Sequence, residues 1–287
     1  MTSALLAVVV SLSASTGRAA GLAPAAPASV RAADAFPGWG PLGEPEDPLE
    51  SLGRDDEDLR DAFAAPPSAM WLQNDLRTAD LAGKLSAVRA AARPHNVDAI
   101  PTLSGVLLRL DQPSALRAAA ALALGRIRDR VAATVLAQGL RDPSPEVRAA
   151  SALALGRLRA HDFTVDLEHA LLADLAWPAR YAAAVALARF PGSDLPLTTA
   201  LSADAAWQVR QQAARSLQFV PTRLALRTLT RALSDPEASV RASAAYSLGE
   251  IGGPEELRRL SAALRDEKDP AARLVMQDAE RVALSRP

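Results

Sequence analysis

The chain predicts an all-α fold: a right-handed α-solenoid of about six to seven helical hairpins. Three observations carry that expectation. A short arginine-bearing motif recurs from about Pro101 to the end of the chain. Leu116-Arg117, Val147-Arg148, Ala179-Arg180, Val209-Arg210, Val240-Arg241 and Ala272-Arg273 fall into register, with arginine spacings of 31, 32, 30, 31 and 32. In the first five repeats an aspartate stands six residues before the arginine (Asp111, Asp142, Asp174, Asp204, Asp235). A leucine stands seven after it (Leu124, Leu155, Leu187, Leu217, Leu248). Hydrophobic residues make up 49% of the chain but aromatics only 4%, so alanine and leucine supply most of the apolar content, as closely packed helices require. Self-similarity at this period marks stacked supersecondary units, each too small to bury its own apolar face alone.

Taken in order, residues 1–20 read as an export signal. Residues 4–14 form an apolar run of signal-peptide length, too short to span a bilayer, followed by small residues. Met1-Thr2-Ser3 lacks the basic residue such signals usually carry. Residues 21–69 are rich in Pro, Ala, Gly and acid, with too few large apolar side chains to offset the entropy of ordering, and read as a disordered linker. Residues 70–287 read as the solenoid. A degenerate unit over 70–92, carrying Val88-Arg89, is expected to cap it.

Within each repeat the pattern is helix, break, helix. In the second, Val131, Val135, Leu136 and Leu140 lie on one stripe at helical spacing, and Arg141-Asp142-Pro143-Ser144-Pro145 interrupts it. Proline cannot donate to a helical ladder but suits the first turn of the next helix. Val147, Ser151, Ala154, Leu155 and Leu158 then form the inward face of a second helix, and Gly156 is expected to weaken and help end it. The same plan predicts first helices near 96–109, 131–140, 163–173, 194–202, 222–233 and 254–265. Second helices are predicted near 114–127, 145–158, 177–190, 207–219, 237–251 and 270–284.

Residues 140–158 (Leu-Arg-Asp-Pro-Ser-Pro-Glu-Val-Arg-Ala-Ala-Ser-Ala-Leu-Ala-Leu-Gly-Arg-Leu) and 233–251 resemble HEAT repeats of the short class first named in phycobilisome lyases. The resemblance covers about residues 70–287. It implies the fold and leaves function open, because the family includes scaffolds, adaptors, chromophore lyases, a hydroxylase and a DNA-repair branch. It also implies that the aspartates and arginines form a ladder between repeats. Physical reasoning agrees. A carboxylate just before a helix can accept from free backbone N–H groups, and a guanidinium fork can reach a carboxylate or carbonyl in the next unit.

Shared positions hold a stack together; divergent ones are where specificity can reside. Three residues before the arginine stand Ser114, Pro145, Trp177, Trp207 and Ala238. One after stand Ala118, Ala149, Tyr181, Gln211 and Ala242. Five after stand Leu122, Leu153, Val185, Arg215 and Tyr246, and nine after, Arg126, Arg157, Arg189, Phe219 and Glu250. Trp177 and Trp207 occupy the same place in adjacent repeats and could flank a peptide, or could cover the edge of the neighbouring core. Arg126, Arg157 and Arg189 are expected to form a basic ridge at the C-terminal ends of three second helices. Tyr181, Arg215 and Tyr246 add polar groups where other repeats carry alanine or leucine. These eight residues are the candidate partner-binding set, and they put the working surface at about 163–251.

No catalytic, cofactor-binding or metal-binding residue is assigned. His95, His161 and His169 lack the paired His-Glu dyads of the di-iron hydroxylase branch, and the chain has no cysteine. Net charge is −1, but four arginines against ten acidic residues over 1–70 leave the remainder at about +5. The expectation is a non-catalytic scaffold or adaptor for a protein or peptide partner. It would be monomeric, bind no nucleic acid, have no membrane span and be periplasmic or secreted, or cytoplasmic if the start is not a signal. A HEAT-like enzyme or enzyme accessory, such as a chromophore-lyase-like protein, is the alternative. Thirty arginines against Lys84 and Lys268 suggest a GC-rich bacterial genome.

Overall fold

The computed structural model describes residues 68–286. The predicted signal and almost all of the predicted linker lie outside the described residues. Pro66–Pro287 forms one compact unit. Among the described residues there are fourteen α-helices and no strand.

The helices pair into seven hairpins. The cap consists of α1 (Ala69–Thr78) and α2 (Leu81–Ala91). Repeat one is α3 (Ile100–Leu108) with α4 (Ser114–Ile127), and repeat two is α5 (Ala133–Gly139) with α6 (Pro145–Leu158). Repeat three is α7 (Thr164–Ala173) with α8 (Trp177–Leu187), and repeat four is α9 (Asp194–Ala203) with α10 (Trp207–Ser216). Repeat five is α11 (Arg223–Ala232) with α12 (Ala238–Ile251), and repeat six is α13 (Pro254–Asp266) with α14 (Pro270–Ser285). Each second helix packs on its own first helix and on the second helices either side, giving two layers.

Local chemistry sets the boundaries. Ser68, Asp80, Thr222 and Asp269 cap α1, α2, α11 and α14 by accepting from backbone N–H groups three residues on. Proline occupies the first turn of α6, α8, α13 and α14. Helices α4 and α6 end at Arg128 and Arg159, which take left-handed φ values of 62° and 47°. The core is one leucine-alanine seam. The leucines seven after the first five motif arginines are 0–2% exposed, and each first helix of repeats one to five contributes at least one leucine at 0% (Leu103, Leu136, Leu167, Leu197, Leu229).

The glycines near the second-helix ends have a different role from the one expected. Gly156 lies inside α6 and does not end it. A Cβ there would stand 2.8 Å from the Cα of Ala186, and at Gly125 and Gly249 it would meet Ala154 and Ala279 at 2.8 and 2.9 Å. Glycine therefore permits close approach between neighbouring second helices. Repeats three and four carry Ala188 and Gln218 in that register. There α8 and α10 stop early, at Leu187 and Ser216, instead of running to 190 and 219. At these joints serines replace alanine: Ser216 Oγ donates to the Ala184 carbonyl at 2.8 Å, and Ser247 Oγ to that of Ala214 at 2.9 Å.

Candidate functional site

The motif arginines and their acids build a continuous ladder. Arg117 grips Asp142 of the next repeat with Nε and Nη2 at 3.0 and 2.8 Å. Arg148 grips Asp174 at 2.7 and 2.8 Å, Arg180 grips Asp204 at 2.7 and 2.9 Å, and Arg210 grips Asp235 at 2.9 Å twice. The remaining Nη1 of Arg148, Arg180, Arg210 and Arg241 donates to the backbone carbonyl of the repeat's own acid at 2.9–3.0 Å. Each acid in turn accepts a backbone N–H two residues on: Ser144, Ala176, Ala206 and Glu237. One guanidinium thus ties two turns and two repeats together.

Two ends of the ladder depart from the pattern. Asp111 pairs with the exposed Arg109 of its own repeat. Beyond the fifth aspartate the acid is a glutamate: Arg241 grips Glu267 at 2.7 Å through both nitrogens. Glu267 also stands six before an arginine, so the register is present in the sequence, hidden by the change of residue type. Hydrogen bonds from Arg241 hold its carboxyl down at about 2, against burial, with help from the Asp269 and Lys268 N–H groups. Arg148, Arg180, Arg210 and Arg241 are held above the ordinary arginine value, first by their hydrogen bonds to these acids. Burial pushes the Asp174 carboxyl up, and the Arg148 bond and the Ala176 N–H outweigh it, so its pKa falls. Every fork in this ladder is occupied from within the stack, which is a structural role.

The divergent positions lie elsewhere on the same helices. Offsets of −3, +1, +5 and +9 from the arginine are successive steps of four residues, so they form one stripe along each second helix. On α8 the stripe is Trp177, Tyr181 and Val185, with Arg189 just past the helix end. On α10 it is Trp207, Gln211 and Arg215, with Phe219 in the 3-10 turn that follows. On α12 it is Ala238, Ala242, Tyr246 and Glu250. Because second helices stack side by side, the stripes align in rows and columns, in which Ala118, Val185, Arg215 and Ala242 are buried.

The structure spreads the eight predicted residues over those rows. Trp177 and Trp207 open α8 and α10 at one edge; Trp177 is half-buried against the core, whereas Trp207 is 39% exposed. Arg126, Arg157 and Arg189 lie at the opposite edge and are half-buried. Twelve residues separate Trp177 from Arg189, about 18 Å along a helix. Tyr181, Arg215 and Tyr246 come together between the edges. Arg215 does not sit at the surface as an adaptable contact: it is 5% exposed. Burial lowers its pKa below the usual arginine value, while the Tyr181 and Tyr246 phenols act in the opposite direction. Burial likewise raises both tyrosines. Leu175, fully exposed at the turn before α8, and Phe219, 53% exposed, extend the apolar surface.

The histidines are dispersed. His161 packs edge-on against Phe190, with ring centroids 5.0 Å apart, and His95 takes a left-handed φ of 65°. Among the described residues no group of three or more His, Cys, Asp or Glu is placed to hold a metal ion, and no helix is long and apolar enough to cross a membrane.

No curated protein matches the chain in sequence. Solved structures do match in fold. A chain from the structure of the CpcE–CpcF complex of phycocyanin lyase from Nostoc superposes with a TM-score of 0.51 at 19% identity, over 77% of this chain and 96% of that one. YibA of Escherichia coli gives 0.53 at 16%, over 82% and 98%. Human deoxyhypusine hydroxylase gives 0.39 at 23%, over 83% and 89%. At these identities the first two likenesses concern the fold alone. The family model for HEAT repeats matches residues 100–188 and 195–279, the segments that carry the ladder and the stripes, and the chain belongs to the HEAT-repeat family.

Proposed function

We propose that the chain is a non-catalytic adaptor whose stripe surface on repeats three to five holds a protein or peptide partner. One observation carries the reading. On the second helices of repeats three to five, Trp177, Tyr181, Trp207, Arg215 and Tyr246 fall on one stripe per helix, side by side, while the shared motif residues are consumed in the ladder and the leucine seam. A stack selected only for stability would have no need to place tryptophan, tyrosine, arginine and phenylalanine on that one stripe. Aromatic and arginine side chains are also the types that dominate binding energy at protein interfaces. The proposal includes export to the cell envelope, resting on residues 1–20 alone.

The test is affinity capture from envelope and cytosol extracts of the source organism, with the full chain as bait and mass spectrometry as readout. Trp207→Ala/Gln211→Ala, both on α10, is the control. The adaptor reading expects a protein captured by the parent and lost by a control that melts with the parent. Equal capture by both chains, or retention of only a small molecule, overturns it.

A further inference from the structure

We propose that the first-helix layer carries a second docking surface, a patch of exposed arginines on repeats five and six that takes an acidic helix of a protein partner, with carboxylates at i, i+4 and i+8. The patch is separate from the second-helix stripes, so the inference goes beyond the adaptor reading and is tested apart from it.

The patch emerges when the first helices are set in register. Each buries a leucine: Leu103, Leu136, Leu167, Leu197, Leu229 and Leu260. Positions six and two before that leucine, and two and five after it, lie on the opposite side of the helix and of the turn that opens it. All of them are exposed except the half-buried Ala262. This face differs between repeats. In repeat four it carries Pro191, Leu195, Thr199 and Ser202, and no charge. In repeat two it carries Arg130 and Arg141, which pair with Asp162 and Asp166 of repeat three. In repeat five it carries Arg223, Arg227 and Arg231, and in repeat six Arg258 and Arg265. None of these five takes part in an ion pair among the described residues. The acids of α13 are Glu255, Glu256 and Asp266, and Glu256 is turned back to accept from the Gly253 N–H. Five guanidinium groups thus face water against two exposed carboxylates, an excess of charge that the stack itself does not use.

Spacing and charge select the occupant. Arg223, Arg227 and Arg231 are successive steps of four residues along α11, about 6 Å each. Acidic side chains at i, i+4 and i+8 of a partner helix advance by the same step, so each meets one arginine in turn. Leu224, 41% exposed, offers apolar contact beside them. Arg258 takes the place of Arg227 one repeat on, about 8–10 Å away, and flanks a helix lying along α11. Guanidinium–carboxylate pairs are charge-assisted and can be bidentate, and complementary charge of this kind steers association and fixes register. A nucleic acid or an anionic bilayer is a poorer match. Either would extend over Glu255 and Asp266 and over the uncharged face of repeat four, whereas a single helix along α11 need not.

The experiment is fluorescence anisotropy with the full chain. The probe is a fluorescein-labelled, alanine- and glutamine-based 18-mer with a glutamate at every fourth position. Controls are the Gln-for-Glu version and an isomer with glutamate at every fifth position, which scatters the charges around the helix. The proposal expects the probe to bind at least about fivefold more tightly than either control, and more weakly as salt rises. Binding should fall about tenfold or more in Arg223→Gln/Arg227→Gln/Arg231→Gln, a variant of exposed residues that should melt with the parent. Arg227→Glu alone should weaken it about fivefold or more. Arg130→Gln/Arg141→Gln, which removes the already paired arginines of the same face, should bind like the parent. A probe that binds no better than the controls overturns the proposal, as does equal binding by the α11 variants. So does stronger binding, dependent on the same arginines, of an 18-mer single-stranded DNA or of phosphatidylserine vesicles. If the probe fails while a captured protein still requires Trp207 and Gln211, this surface falls and the adaptor reading stands. If the probe binds through the α11 arginines while Trp207→Ala/Gln211→Ala leaves capture unchanged, this surface stands and the adaptor reading falls.

Discussion

At the scale of single residues, the ladder is where energy and sequence pattern meet. Arg117 and Asp142 are the most buried rung, with side chains 6% and 4% exposed. Removing Arg117 leaves a carboxylate out of water without its fork. Arg117→Ala should therefore cost about 3–5 kcal/mol in chemical denaturation. Arg109→Ala, which breaks a pair about 60% exposed on both sides, should leave the denaturation midpoint close to the parent's. The ladder also makes stability depend on pH. The Glu267 pKa is depressed to about 2 from 4.5, so its contribution is full above about 4.5 and is lost as pH falls toward 2. The melting temperature should drop through that window. Glu267→Gln should lower the midpoint at neutral pH and flatten the acid limb. The four aspartates and five arginines of this device are legible in the sequence because they repeat by type. Glu267 is not, since a glutamate performs the aspartate's task one methylene longer. The burial of Arg215 is also illegible: a charged residue among alanine and leucine reads as surface, and only the neighbouring helices show that Tyr181 and Tyr246 flank it.

Among the elements, the second helices decide both the spacing of the stack and the placement of the candidate surface. Their existence and order follow from the 31-residue rhythm and the proline breaks. Their ends do not, because α8 and α10 lack the glycine that lets α4, α6 and α12 approach the next helix closely. Gly156 makes the point testable. Alanine normally favours a helix over glycine by about 1 kcal/mol. At Gly156, however, the new methyl would meet the Ala186 backbone at 2.8 Å, so Gly156→Ala should destabilise by about 1–3 kcal/mol. Gly105 in α3 has open space around its missing methyl, and Gly105→Ala should stabilise by about 0.5–1 kcal/mol. Equal effects at the two sites in a denaturant titration would mean that glycine does not set the packing of this row.

For the whole molecule, each repeat touches only its neighbours, so the array separates two kinds of residue that a globular core would mix. The ladder and leucine seam hold the stack, and the stripes are left to differ. The repeat rhythm alone exposes that division. The four-residue steps that align Trp177 with Tyr181, and Trp207 with Gln211 and Arg215, acquire meaning only from the side-by-side stacking of the helices. The most direct measurement is thermal melting and partner capture on three full-length chains: the parent, Arg148→Ala and Trp207→Ala/Gln211→Ala. The account predicts that Arg148→Ala melts several degrees lower yet captures the parent's partner where it is folded. The stripe variant should melt within about a degree of the parent and capture nothing. An Arg148→Ala chain that melts like the parent but no longer binds would contradict it, because the ladder would then be the site.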